Sequence, residues 1–446
     1  MSAGPLVLLV LMGATQGLPL GEPKESWGYV AVRDKAYMFW WLYQAESPTQ
    51  SYTELPLVMW LQGGPGASGC GYGNFEEIGP YDTFLRRRNT TWIQAVNLLF
   101  VDNPVGTGFS YTTDSGAFAK DVATVAADMM VLLKQFFGSK PEFQETPFYI
   151  FSESYGGKMA AAIGLALYKE IKAGSIKCQL GGVALGDSWI SPVDSVLSWG
   201  PYLYSISLLD EEGLQEVQGS ANEVQEALKS GQYVKATDLW SQTEDIIEQN
   251  TDGVNFYNIL TKDSTFAGKT ENRKQRSLEL GNVLLGKLYQ RHLLPLQRND
   301  LSALMNGPIR KKLKIIPDFV TWGGQASDVF ANMAADFMKP VIDIVDELLE
   351  ANVNVTVYNG QLDLIVDTVG QENWVKKLKW QKIEQFKALK WTAVRMGQKS
   401  LETAAFYKSY ENFSFYWVLK AGHMVPSDQG ETALRMLRMI TEQESP

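Results

Sequence analysis

Cysteine is scarce: Cys70 and Cys178 are the only two in 446 residues. At most one internal disulfide can form, and the sequence contains no CxxC metal site or redox pair. Histidine is equally scarce, with two copies. A zinc site would consume both, so neither a metal nor another cofactor is expected. Positive charge is in deficit, with 40 Lys and Arg against 50 Asp and Glu and a formal charge of −10. That balance disfavours nonspecific binding to nucleic acid. The local exception is IRKKLKII, where Arg310 to Lys314 interleave with apolar residues at helical spacing and read as a solvated helix face.

Long apolar runs are also missing. Residues 5–13, PLVLLVLMG, have the length of a signal-peptide core and are too short to span a bilayer. With the small and polar residues through Gly17 they define a signal peptide over 1–17, although no Lys or Arg precedes the block. A secreted or lysosomal location is expected, with no membrane span. Three sequons, at Asn89, Asn354 and Asn412, agree with that route as candidate glycosylation sites.

What is present is material for a large core: 45% hydrophobic residues, 13 Trp and 20 Phe. Short apolar runs alternate with helical patterns: LPLVMWL (55–61), NLLFVD (97–102), PFYIF (147–151), LGGVAL (180–185), NVNVTVYN (352–359) and FSFYWVL (413–419). Continuous apolar strands separated by helices predict a mostly parallel sheet covered on both faces, an α/β fold. Val122, Val125, Ala126, Met129, Leu133, Phe136 and Phe137 form a core-facing helical stripe between the second and third runs. Over 193–305 strand-like runs vanish, and Leu214, Val217, Val224 and Leu228 recur at helical intervals. Polar breaks at 249–253 and 262–275 separate the helices. The predicted organisation is a core in two parts, 18–192 and 306–446, interrupted by a helical cap placed like a lid.

The stretch FSESYGGK places Ser154 between small residues, after a strand and before a helix, as a nucleophile on a sharp turn requires. Ser152 occupies the position of the first glycine in G-x-S-x-G and is a weaker candidate. A serine nucleophile needs a base, and only His292 and His423 exist. His292 lies in a helical segment of the insertion, where a surface or interhelical role is expected. His423 follows the apolar run FYWVL, at a strand end where α/β sheets assemble their sites. Asp363, just after Asn359-Gly360, precedes the histidine in the order an orienting acid should, while Asp367 reads as a helix cap. Oxyanion donors are expected from the Tyr155 amide and the glycine-rich loop WLQGGPGASG (60–69).

In order and spacing, LQGGPGASG with FEEIGP, VDNPVGTGFSY, SESYGGK, NGQLD and AGHMVPSDQ resemble the serine carboxypeptidases. The resemblance implies an α/β-hydrolase fold with a helical cap and removal of C-terminal residues from peptides or proteins with a free C-terminus. It implies Ser154 as nucleophile, His423 as base, Asp363 as orienting acid, and Gly64 with Tyr155 as oxyanion donors. It also places recognition of the substrate carboxylate on Gln62, Gly63, Glu77 and Glu153. Two carboxyls that share a proton with a bound carboxylate favour acidic pH.

The chain departs from the family pattern in several places. Gln62 stands where the family has Asn, Ser152 where it has Gly, and Gly360-Gln361-Leu362-Asp363 where it has Gly-Asp-x-Asp. Most of the family's disulfide cysteines are absent, and GDSWISP (186–192) differs from the usual segment, leaving side-chain preference open. An acyltransferase or esterase on the same scaffold, or a binding or chaperone protein without turnover, are the competing readings. A homodimer is compatible with the sequence.

Overall fold

The computed structural model describes residues 22–262, 289–297, 299–397 and 401–445. The expected signal peptide and nearly all of the polar break at 262–275 lie outside the described residues. Eleven strands form one sheet among those described: β1 (Glu25–Arg33), β2 (Ala36–Tyr43), β3 (Leu57–Leu61), β4 (Asn97–Val101), β5 (Tyr111–Thr112), β6 (Pro147–Glu153), β7 (Gln179–Gly186), β8 (Val355–Gly360), β9 (Thr392–Arg395), β10 (Thr403–Tyr410) and β11 (Phe413–Val418). Their order is β1-β2-β4-β3-β6-β7-β8-β11-β10-β9, with β5 paired to β2.

The run from β4 to β11 is parallel throughout, while both margins are antiparallel. The parallel strands coincide with the apolar runs read from the sequence, and burial gives the reason. In β3, Leu57, Met59 and Leu61 enter the core on one face, and Val58 and Trp60 enter the core on the other. β4 and β6 divide their residues in the same way. A strand covered on both faces favours apolar residues at successive positions instead of alternate ones.

One face is covered by α1 (Val122–Ser139) and α2 (Tyr155–Lys172), which pack together. Every residue of the predicted α1 stripe is buried. Among the described residues α1 alone is long and apolar enough to cross a membrane, and half of it is buried against the sheet and α2. After β7 come α3 (Pro192–Ser205), α4 (Glu211–Lys229), α5 (Tyr233–Asn250), α6 (Ala326–Phe337) and α7 (Ile342–Glu350), then β8 and α8 (Thr368–Val375). The helical interval between β7 and β8 therefore runs past 305, and α7 packs on α2. The basic run forms a short helix, Arg310–Leu313, with Lys311, Lys312 and Lys314 exposed. Cys70 and Cys178 are both buried and not joined to each other.

Candidate active site

Between the end of β6 and the start of α2, Ser154 adopts φ 63° and ψ −131°. A side chain there is strained and must be held by its surroundings. The Ser154 N–H donates to Gly186 O (3.0 Å), and its carbonyl accepts from Gly157 N–H (2.9 Å) and Trp189 N–H (3.0 Å). The bend also depends on close backbone approach. A Cβ on Gly63 would lie 2.5 Å from Ser154 Cβ, and one on Gly156 would lie 2.4 Å from Leu61 O. Ser152, by contrast, is fully buried in β6, with its Oγ donating to Ala184 O (3.0 Å).

Parallel pairing of β8 with β11 sets Gly360 opposite Val418, so the loops that follow emerge side by side. They carry Asp363 and His423, whose Oδ2 and Nδ1 are 2.8 Å apart and buried. Asp363 Oδ1 accepts from Val366 N–H (3.2 Å). A segment from the helical interval ties both loops down: His423 N–H donates to Tyr257 O (2.7 Å), and Leu364 and Ile365 N–H donate to Phe256 O (3.1 and 2.9 Å). Burial pushes the imidazole of His423 below its usual range, opposed by the neighbouring carboxyls of Asp187, Glu77 and Asp428. Burial pushes Asp363 upward, opposed by the neighbouring Asp187 carboxyl and by the N–H of Val366. The bond to Asp363 fixes the ring through Nδ1 and leaves Nε2 as its other nitrogen.

Ser154 and His423 line one cleft together with Gln62, Gly63, Gly64 and Glu153. Ser154 Oγ and His423 make no hydrogen bond to each other; in unliganded sites such contacts commonly tighten only around substrate. Gly64, at φ 107°, follows β3 in the loop that abuts Ser154. The Tyr155 amide is the first of α2, where N–H groups have no intrahelical acceptor.

At the cleft's polar end, Gln62 Nε2 donates to Glu77 Oε1 (3.0 Å) and Glu153 Oε1 (2.8 Å), and its own Oε1 accepts from Trp60 Nε1 (2.7 Å). Glu77 comes from a widened helical turn, Gly69–Ile78, a geometry often found at functional positions. Burial raises Glu77 to about 7, against the lowering effect of its bonds to Glu153 and Gln62. Glu153 is pushed well above the carboxylate range by burial and by Glu77. Each retains a buried oxygen, Oε2, without a donor among the described residues. Protons must therefore be held here, and a carboxylate ligand would find donors.

Several residues of the site were not anticipated. His292 is interhelical and buried, and it also lines the cleft: Tyr257 OH meets its Nδ1 at 2.9 Å, and Glu244 of α5 lies 3.0 Å from Nε2. Trp189, Trp240, Leu296 and Phe337 give the cleft an apolar wall. These positions come from four separate stretches of chain and form no local pattern. Asp367 caps α8 as expected, accepting from Gly370 N–H (2.8 Å). Asp187, within GDSWISP, lies beside Asp363 and His423.

Behind the serine, Tyr155 OH donates to Asp336 Oδ2 (2.6 Å), and Lys158 Nζ donates to Asp336 O (2.6 Å) and Oδ2 (3.1 Å), all buried. This joins the first turn of α2 to the end of α6. Asp336→Ala strands a buried ammonium and is expected to destabilise the protein by about 3–5 kcal/mol, measured by urea unfolding.

Of the sequon residues, Asn89 and Asn354 are exposed, the latter donating from Nδ2 to Gly181 O (2.9 Å). Asn412 Nδ2 donates to Leu349 O (3.0 Å) and Val353 O (2.9 Å), so its amide nitrogen is engaged within the fold.

Residues 18–443 match the family described as serine carboxypeptidase. The chain is 66% identical over 440 residues to retinoid-inducible serine carboxypeptidase of Homo sapiens, an alignment covering 99% of this chain and 96% of that protein. It is 44% identical over 435 residues to serine carboxypeptidase-like 51 of Arabidopsis thaliana, covering 94% and 93%. Among solved structures, the prohormone-processing carboxypeptidase Kex1 of Saccharomyces cerevisiae superposes with a TM-score of 0.79 at 22% identity, covering 94% of this chain and 91% of that one. That likeness concerns the fold.

Proposed function

The chain belongs to the serine carboxypeptidase family, and from that premise we propose that Ser154, His423 and Asp363 carry its peptidase chemistry. His423 Nε2 takes the Ser154 hydroxyl proton as Oγ bonds to the carbonyl carbon of the C-terminal peptide bond. Amides of Gly64 and Tyr155 receive the developing oxyanion. The imidazolium then returns the proton to the departing amine, leaving an acyl-enzyme. Water, deprotonated by the same ring, releases the shortened peptide and restores the serine. Asp363 holds the ring's tautomer throughout. The observation that carries this reading is the 2.8 Å Asp363–His423 pair in the cleft that Ser154 lines.

Gln62, Gly63, Glu77 and Glu153 would receive the substrate's terminal carboxylate, with the protons on the two acids replacing repulsion by hydrogen bonds. This sets exopeptidase specificity and an acidic optimum. Helices α3 to α5 act as a cap, with Trp240 of α5 on the cleft wall. A secreted or lysosomal destination fits the N-terminal apolar block, and exposed Asn89 is the favoured glycan carrier.

Product analysis tests the reading. A peptide with a free C-terminus should lose single residues from that end, while the same peptide amidated is cleaved at least about a hundredfold more slowly. Equal rates on both would remove the carboxylate site. Transfer of the acyl group to an added amine in preference to water would favour the acyltransferase reading, which Gln62 keeps in play.

A further inference from the structure

A second carboxyl lies beneath the imidazole and takes no part in the steps above. Asp187 follows β7 at φ 43° and is fully buried. Its N–H donates to Tyr358 O (2.8 Å), and its Oδ1 accepts from Gly360 N–H (2.8 Å). Oδ2 has no N–H or hydroxyl donor among the described residues. An oxygen of Asp187, an oxygen of Asp363 and a ring nitrogen of His423 all lie within 4.8 Å of one another.

The titratable groups around Asp187 are almost all acids. Glu153 approaches from β6 and Tyr358 from β8, while Asp363 with Asp367 comes from the loop beyond β8; Glu77 of the widened turn lies against Glu153, with Arg88 on its other side. From the loop after β11 come His423 and, beyond it, Asp428. Among the described residues no Lys or Arg forms an ion pair with Asp187 or Asp363.

Two adjacent carboxylates without a cation, shut away from water, cannot both ionise. Oδ2 gains a partner once the two acids hold one proton between them, because a protonated Asp187 can donate to Asp363. We propose that Asp187 is a positioning residue that carries this proton and donates it to Asp363, keeping the pair singly negative under His423 below neutral pH. The inference rests on the Asp363–His423 assignment made above. Burial raises both acids; both oxygens of Asp363 are already engaged, by Val366 N–H and His423 Nδ1, whereas Asp187 Oδ2 has no partner among the described residues, which places the proton on Asp187. A singly charged pair attracts an imidazolium less than a doubly charged one. His423 therefore stays neutral, and able to accept the serine proton, at acidic pH.

The test follows His423 by NMR of histidine-labelled protein, with His292→Gln for assignment, beside kcat/KM profiles. Asp187→Asn keeps a neutral donor in place, so the His423 titration and the acid limb should stay within about 0.3 pH unit of wild type. A downward shift of about one unit or more would show that Asp187 was ionised, and would overturn the proposal. Asp187→Ala removes the donor and should lower kcat at least about tenfold while raising the acid limb, an effect that Asn rescues. An Ala variant with a wild-type profile would also overturn it. Wild-type protein gives a reading that needs no variant: His423 should titrate below the ordinary histidine range, whereas a titration above that range would mean two ionised carboxylates beneath it. Asp363→Ala is the separate control, since peptide hydrolysis surviving that change would sink the triad assignment itself.

Discussion

Ser154→Ala is expected to lower kcat by about a millionfold and to abolish labelling by a fluorophosphonate, with thermal stability and substrate-analogue binding little changed. Among the described residues Ser154 Oγ makes no hydrogen bond that supports the fold, and the backbone bonds that hold its bend come from N–H and carbonyl groups that alanine keeps. His423→Ala should cost about as much, and the double variant little more, because the residues act as one unit. Asp363→Asn should cost about ten-thousandfold, since an amide can no longer accept from Nδ1–H and the ring is free to adopt the wrong tautomer. Ser154→Ala protein that still releases C-terminal residues at even a hundredth of the wild-type rate would place the nucleophile elsewhere.

The second large effect is a collapse of kcat/KM for free-C-terminal peptides above neutral pH. Glu77 is raised to about 7 and Glu153 stands well above its ordinary range. Both are therefore largely protonated and neutral through the acidic range, where a substrate carboxylate can bind against them. As pH rises through 7 the pair loses its proton and confronts the substrate with like charge. The expected fall is about tenfold per pH unit on the alkaline side, appearing in KM before kcat. Glu77→Gln replaces the titrating acid with a permanent donor and should carry activity past that limb. A profile flat to about pH 8 in the wild type would remove Glu77 and Glu153 from carboxylate binding.

Legibility of the fold in the sequence followed burial. The parallel strands β3, β4, β6, β7, β8 and β11 were readable because both faces are covered and their runs are nearly continuous in apolar or β-branched residues. The margins were not. β10, TAAFYKSY, has mostly half-buried positions, and β9 is a four-residue strand with only Val394 buried. β2, AYMFWWLY, is as apolar as any central strand, but it joins β1 through Asp34-Lys35, where Lys35 takes a positive φ (60°) without the glycine that marks such turns. The site divides in a similar way. Ser154, Asp363 and His423 stood out because each sits just past a strand end in a recognisable order, and the fold sets Asp363 against His423 in the cleft that Ser154 lines. Asp187 also sits just past a strand end, yet nothing in GDSWISP shows that its neighbour in space is another acid. His292 was set aside because helical spacing in an insertion says nothing about which side of the helix meets a cleft.

The main-chain bonds from Phe256 and Tyr257 to the loops of Asp363 and His423 bear on how the enzyme can be altered. A region hung on two hinges could be exchanged between relatives like a module, but here this segment is stitched to the loops that carry His423 and Asp363. Grafting a foreign helical region to change substrate preference should disturb turnover along with selectivity unless that stitch travels with it. Preference is then better retuned by replacing wall side chains such as Trp240 or Leu296 one at a time.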